Sequence, residues 1–183
     1  IINEEVCLTI GNFDGIHKGH NKILEKLKKE ARSLNAKSAI LSFDPHPKFY
    51  FDNSQRFLIN SKQKKINILE QKNIDYLIDL KFNQELIDLS YSDFENKILY
   101  ENLKLKKILI GNDFRYGNKR KGDIETLKSF CEKASILYEN IDLLEDDKNT
   151  KISSTQIREF LSLGKIEQAN TLLENPFSIK GSV

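Results

Sequence analysis

The sequence predicts an α/β fold, a Rossmann-like doubly wound parallel sheet of about five strands, on three observations. Short runs at residues 6–10, 38–43, 75–80, 107–110 and 136–144 read as strands, several of them continuous apolar stretches with little alternation, as in strands buried on both faces of a parallel sheet. Helical patterns lie between them, which calls for right-handed βαβ connections. Three polar motifs rich in glycine or proline follow strand runs directly, where open α/β sheets bind their ligands.

The first run, Val6-Cys7-Leu8-Thr9-Ile10, leads into Gly11-Asn12-Phe13-Asp14-Gly15-Ile16-His17-Lys18-Gly19-His20. Its glycines allow positive φ and close approach of backbone to a ligand, and a helix opening near Lys18 offers its N-terminus to a phosphate. In that helix Ile23, Leu24, Leu27, Ala31 and Leu34 recur at helical spacing, with Lys26, Lys28, Lys29 and Glu30 mainly on the other side. The second run passes into Ser42-Phe43-Asp44-Pro45-His46-Pro47, where two prolines hold His46 in a rigid extended loop. Polar residues 52–63 read as the most mobile loop. After the third run, Ser92-Asp93-Phe94-Glu95 reads as a capping box with Ile98 and Leu99 behind it. The fourth run enters Gly111-Asn112-Asp113-Phe114-Arg115-Tyr116-Gly117, and Lys119, Arg120 and Lys121 read as a solvated loop. Asp123 caps a helix that turns Leu127, Phe130, Cys131 and Ala134 inward. After the fifth run, Ser153 or Ser154 caps a last helix that Gly164 ends.

At 183 residues the chain suits one domain with a sizeable core. Charged residues make up 31% and the net charge is +2, a positive excess too small to draw in nucleic acid or an anionic membrane by field alone. A polyanion must therefore be held locally. Cys7 and Cys131 belong to no CxxC or Cys/His cluster and read as packing residues. With no signal-like segment and no long apolar run, a cytoplasmic protein is expected. The chain has no methionine and begins at Ile1, so it is expected to be a fragment or to have lost residues.

All three histidines, His17, His20 and His46, fall within the motifs. His17 and His20 are placed to donate hydrogen bonds to a polyphosphate from two successive points of a turn. Ser153, Ser154 and Thr155 with Arg158 one turn on form either a second phosphate cradle or an ordinary N-cap with a solvated arginine. Asp14 and Asp44 are turn formers or ligand contacts. The stretch Gly117-Asn118-Lys119-Arg120-Lys121-Gly122-Asp123 has the glycine spacing of a P-loop but lacks the following Lys and Ser/Thr, so a P-loop mechanism is excluded.

HxGH followed far downstream by Ile152-Ser153-Ser154-Thr155-Gln156-Ile157-Arg158 resembles the nucleotidylyltransferase superfamily. Together with FDPHP and GNDFRYG, the extended GNFDGIHKGH resembles the adenylyltransferase domain of bacterial bifunctional riboflavin kinase/FMN adenylyltransferases, the FAD synthetases, from about Val6 to the last residue. The resemblance implies transfer of AMP from ATP to the phosphate of FMN, giving FAD and pyrophosphate with Mg²⁺. It implies catalytic roles for His17, His20 and Arg158. ATP contacts are implied for Gly11, Phe13, Asp14, Gly15, Gly19, His46, Ser153, Ser154 and Thr155. Flavin contacts are implied for Phe43, Pro45, Pro47, Phe114, Arg115, Tyr116 and Gly117, although aromatics near strand ends are equally often core; Asp113 is the implied carboxylate for the metal. Residues 1–174 would be the FMN adenylyltransferase domain and residues 175–183 a linker toward a riboflavin kinase domain. Small-molecule substrates are implied, with no nucleic-acid or membrane partner.

Gln156 stands where the family often has arginine, and Leu173-Glu174-Asn175-Pro176-Phe177 replaces a more usual Leu-Gly-Arg-Pro-Tyr/Phe. The alternatives are a non-catalytic flavin or nucleotide sensor and a related HxGH adenylyltransferase with another phosphate acceptor, which would not be expected to carry the FDPHP and GxDFxxG loops. A weak RNA binder using Lys62, Lys64, Lys65 and Lys72 lacks interleaved aromatics for base stacking.

Overall fold

The computed structural model describes residues 2–51, 58–141 and 152–179. Strands β1 (Ile2–Ile10), β2 (Lys37–Asp44), β3 (Tyr76–Lys81), β4 (Leu103–Gly111) and β5 (Leu137–Ile141) form one sheet in the order β3-β2-β1-β4-β5. Every neighbouring pair is parallel. The chain winds outward from β1 to β3 and then returns to place β4 against the other edge of β1. The winding therefore reverses between β1 and β4, and a crevice opens beyond their carboxyl ends.

Strict alternation along the strands explains why their runs are continuously apolar. Val6, Leu8 and Ile10 of β1 pack with Ile108 and Ile110 of β4 on one face, under Leu127 and Cys131 of helix α6 (Ile124–Lys133). Cys7 and Leu109 face the other way with Ile40, under Ile23, Leu24, Leu27 and Ala31 of α1 (Lys18–Ser33) and Ile68 and Leu69 of α3 (Lys62–Gln71). Cys7 and Cys131 are fully buried, and burial pushes their thiols up to about 11 and about 12, which suits packing residues. β1 and β4 start earlier than their apolar runs because the ladder continues through Glu5 opposite Lys104. Residues 142–144 of the expected fifth strand lie outside the described residues, as do residues 52–57 of the expected mobile loop and residues 180–183 of the expected linker. The remainder of that loop is ordered: Ile59 and Asn60 are buried, and Ser61 caps α3.

The connection from β3 to β4 corrects the expected cap. After α4 (Gln84–Asp88), Ser90 rather than Ser92 is the N-cap, its hydroxyl accepting from Asp93 N of the short helix α5 (Tyr91–Asp93). The chain then widens into a π-helix, Phe94–Tyr100. Glu95 cannot close a box on Ser92, because it is buried and receives the Tyr116 hydroxyl. Asp123 caps α6 as expected, in a reciprocal box with Thr126.

Helices α7 (Ser154–Ser162) and α8 (Ile166–Leu172) build a third cluster from Ile152, Ile157, Ala169, Leu172, Leu173 and Ile59. Past α8 the chain runs over α3, where Lys64 Nζ donates to Pro176 O at 2.7 Å and Lys72 Nζ lies 3.4 Å from Glu174.

Candidate active site

The loop after β1 turns on residues that rarely take left-handed backbone. Phe13 (φ 49°) and Ile16 (φ 39°) do so, and both are buried. Such conformers are disfavoured by roughly 1–3 kcal/mol each and persist only where the surroundings over-determine them. Here they deliver His17 to the N-cap of α1, where Nδ1 accepts from His20 N at 3.2 Å. That acceptor role leaves the proton on Nε2, which makes the other side of the ring a donor. His20 stacks on His17 with centroids 3.7 Å apart and on its other side meets Phe13 at 4.7 Å. Gly19 lies between them because a Cβ there would sit 3.1 Å from His17 Nδ1.

The two distant signatures meet at Asp14. Its carboxylate accepts from Ile59 N and Asn60 N, both at 3.2 Å, and from Arg158 at 2.5 Å, while its carbonyl receives the Ser154 hydroxyl at 2.8 Å. Asp14 is 4% and Arg158 6% exposed. Asp14, expected as an ATP contact, is thus the knot joining the β1 loop to α7. Arg158, expected as a catalytic phosphate contact or else a solvated arginine, has one end committed to that knot and its guanidinium carbon 5.7 Å from the Phe49 ring centroid. The N-cap of α7 resolves to Ser153, whose hydroxyl accepts from Gln156 N and keeps its proton for donation.

After β2, Pro47 opens the short helix α2 (Pro47–Phe51), and His46 stacks on Phe49 with Nδ1 accepting from Lys48 N. Phe43 meets Phe82 edge-on at 5.9 Å, and Tyr50 and Phe51 close around the same Phe82, Phe51 being 70% exposed. Pro45 is exposed. This aromatic rim was not anticipated beyond Phe43, since isolated aromatics after a proline loop carry no spacing signal.

The loop after β4 is held from inside. Tyr116, expected as a wall of the flavin slot, is a core residue: its hydroxyl donates to Glu95, and its ring stacks on Phe114 at 5.3 Å. Burial raises the Glu95 carboxyl, against the opposing pull of that hydrogen bond. Arg115 pairs with Asp123 at 3.0 Å. Gly117 (φ 70°) backs onto Tyr91, whose N and Cα would lie 2.6 Å from any Cβ. Arg115, Tyr116 and Gly117 therefore shape the loop, leaving the partly exposed Phe114 and the exposed Asp113 as its outward groups. Gly117→Ala is expected to destabilise the fold by about 1–3 kcal/mol through overpacking, read as a lower urea midpoint; an unchanged midpoint would contradict the contact. Lys119, Arg120 and Lys121 are exposed, as expected of a solvated loop.

Burial and neighbouring cations set the charge state of the site. His20 is held well below its ordinary range by burial, His17 and Lys65. His46 is lowered to about 4 by burial, then by Arg158, with Asp14 opposing and Lys65 and Lys48 adding. Both rings are neutral at pH 7. Because the unfolded chain binds a proton near pH 6.5 that folded His46 refuses until about 4, stability should fall as pH drops through that window. His46→Gln should flatten this part of the profile in melts at successive pH values, and a parallel decline in both proteins would exclude His46 as its source.

Four of the five buried side-chain polar atoms without a hydrogen-bond partner among the described residues are Asn12 Oδ1, His20 Nδ1, Asn60 Nδ2 and Gln156 Oε1. All four belong to the segments that meet around the Asp14 knot, and buried groups of this kind call for a polar partner, water or ligand. Among the described residues no group of three or more His, Cys, Asp or Glu side chains could hold a metal by itself.

Comparison with known proteins gives the family and supports the fold. A family model described as FAD synthetase matches residues 1–156. The bifunctional riboflavin kinase/FMN adenylyltransferase of Buchnera aphidicola subsp. Schizaphis graminum is 38% identical over an alignment covering 100% of this chain and 59% of the relative. The Escherichia coli K12 protein of the same description is 31% identical, with 98% and 58% covered. The chain thus spans less than two thirds of these curated relatives. A crystal structure described as a macrolide-efflux protein from Streptococcus pneumoniae superimposes with a TM-score of 0.85 at 26% identity, covering 97% of this chain and 67% of that one. No described helix of this chain is long and apolar enough to cross a membrane.

Proposed function

The chain belongs to the FAD synthetase family, and from that premise we propose that it is an FMN adenylyltransferase, moving AMP from ATP to the phosphate of FMN with release of pyrophosphate. The observation that carries the reading is the joining of two helix N-termini, those of α1 and α7, through Asp14 at the crevice between β1 and β4. Helix N-termini attract phosphate through their free N–H groups and dipoles.

The nucleophile needs no activation, since a phosphomonoester with a second pKa near ~6 is already an anion at neutral pH. His20 and His46, lowered from their ordinary range chiefly by burial, are weak bases, which suits a reaction that needs none. What the protein supplies is alignment of two polyanions and donors aimed at charge growing on the α-phosphate and the bridging oxygen. We assign that donation to His17 and His20, with Gly19 clearing the way for α1. Gly11, Phe13 and Gly15 shape the loop, and Ser153, Thr155 and the start of α7 take the outer phosphates. Ser154, Asp14 and Arg158 hold the two signatures together. His46 serves the ATP side. Phe43, Pro45, Pro47 and Phe114 border the flavin, with Arg115, Tyr116 and Gly117 supporting them. Asp113 is the protein carboxylate that would hold Mg²⁺, which when bound would screen the charge of the triphosphate.

Residues 1–174 are the proposed catalytic domain and residues 175–183 the link toward a riboflavin kinase region. A cytoplasmic enzyme acting on small molecules alone, without nucleic-acid or membrane partners, completes the reading. The test is FAD formation from FMN, ATP and Mg²⁺, followed chromatographically with and without chelator. Binding of FMN and ATP without turnover would favour a sensor, and turnover only with another phosphate acceptor would favour a related adenylyltransferase.

A further inference from the structure

We propose that Lys65 is a positioning residue of this site, its buried ammonium tying the exits of β1 and β2 to the carboxylate of Asp79 on β3. The role presupposes the adenylyltransferase reading. Lys65 Nζ donates to Asn12 O at 3.0 Å and to Ser42 Oγ at 2.5 Å, and it lies 3.9 Å from Asp79 Oδ1. An ammonium has three donors and no acceptor; two of them go to these oxygens, and Asp79 adds a longer-range ion pair rather than a hydrogen bond. The side chain is 14% exposed, unlike that of Lys62 beside it on α3, which is 57% exposed and bridges Asp44 and Asp79 at the surface.

Its two anchors explain why this cation bears on the chemistry. Asn12 O belongs to the β1 loop, one residue before Phe13 and five before His17. Ser42 precedes Phe43 by one residue and His46 by four. A single head group thus fixes the spacing between the loop that carries the paired histidines and the loop that carries His46 and the aromatic rim. Burial lowers the Lys65 ammonium, while Asp79, Asp14 and Asp44 support its charge and Lys62 opposes it. Burial is the main cause that keeps His20 and His46 neutral, and Lys65 adds to it from there, alongside His17 at the first ring and Arg158 and Lys48 at the second, with Asp14 opposing at His46. An ordinary surface ion pair would do neither, because exposed pairs are worth little and are screened.

The experiment compares Lys65→Met, which keeps most of the apolar stem and removes the charge, with Lys65→Arg, which keeps the charge on a planar fork. Circular dichroism checks folding, proton NMR follows the imidazoles of His20 and His46 in the substrate-free protein, and kcat and KM are measured for ATP and FMN. In Lys65→Met both rings should titrate at higher pH than in the parent, and kcat should fall by about 100-fold with a much smaller change in KM for ATP, as expected of misplaced catalytic groups. Lys65→Arg should restore the titrations and part of kcat. Unchanged titrations and kcat in Lys65→Met would overturn the proposal, and so would a kcat loss of equal size in both variants without movement of either titration. If Lys65→Met fails to fold, Ser42→Ala removes one anchor alone, and an unaltered kcat in that variant overturns the proposal equally. Absence of FAD formation by the parent protein would instead defeat the functional reading, leaving the titrations to judge the placement of Lys65.

Discussion

In assays of FAD formation, His20→Ala is expected to lower turnover by about 100-fold to 1000-fold while weakening ATP binding far less. The asymmetry follows from where the ring stands. His20 is gripped between His17 and Phe13, so its orientation is set before substrate arrives. Its Nδ1 has no hydrogen-bond partner among the described residues. A neutral ring contacts the ground-state triphosphate modestly. As negative charge gathers on the α-phosphate and the bridging oxygen, the same contact strengthens, so its loss is felt in kcat. His20→Asn, which keeps an N–H donor on a shorter side chain, should recover part of the rate. Equal losses of ATP affinity in both variants with turnover unchanged would remove His20 from the transition state and leave it a binding residue.

The order of events along the chain made much of this legible. Apolar runs without alternation revealed strands covered on both faces, and the clusters on either side of β1 and β4 bear that out. The motifs could be gathered at one edge from topology alone, because loops that follow parallel strands all emerge on the same side. The direction of individual side chains escaped. Nothing in S-S-T-x-x-R says that the arginine turns inward to Asp14, and nothing in GNDFRYG says that the tyrosine hydroxyl is claimed by a glutamate from a π-helix. The cap expected at Ser92 could not be moved to Ser90 without knowing that Glu95 is buried. Lys65 did leave a trace. It stands three and four residues before the buried Ile68 and Leu69, on the inward stripe of α3, so this lysine, named only among the candidate RNA contacts, is in register with the core.

Breaking the Asp14–Arg158 pair should have the largest effect on stability. Asp14→Ala leaves a guanidinium that is only 6% exposed without its carboxylate and frees Ile59 N and Asn60 N as well, and such a loss typically costs about 3–5 kcal/mol. Arg158→Ala strands the carboxylate instead, yet two backbone donors still serve it, so its cost should be the smaller of the two. The double variant should be much less destabilised than the sum of the singles, because each single leaves one member of the pair behind and the double leaves neither. Urea unfolding of the four proteins measures the coupling, and additive losses would show that the two side chains do not depend on each other. Arg158→Lys tests the fork itself, since one compact ammonium cannot both reach Asp14 and lie flat over the Phe49 ring. A lysine variant with parent-like stability and turnover would show that this position requires only charge. A stable but slow one would show that the planar group sets the angle at which α7 meets the β1 loop, and with it the distance between the two phosphate-binding helix ends.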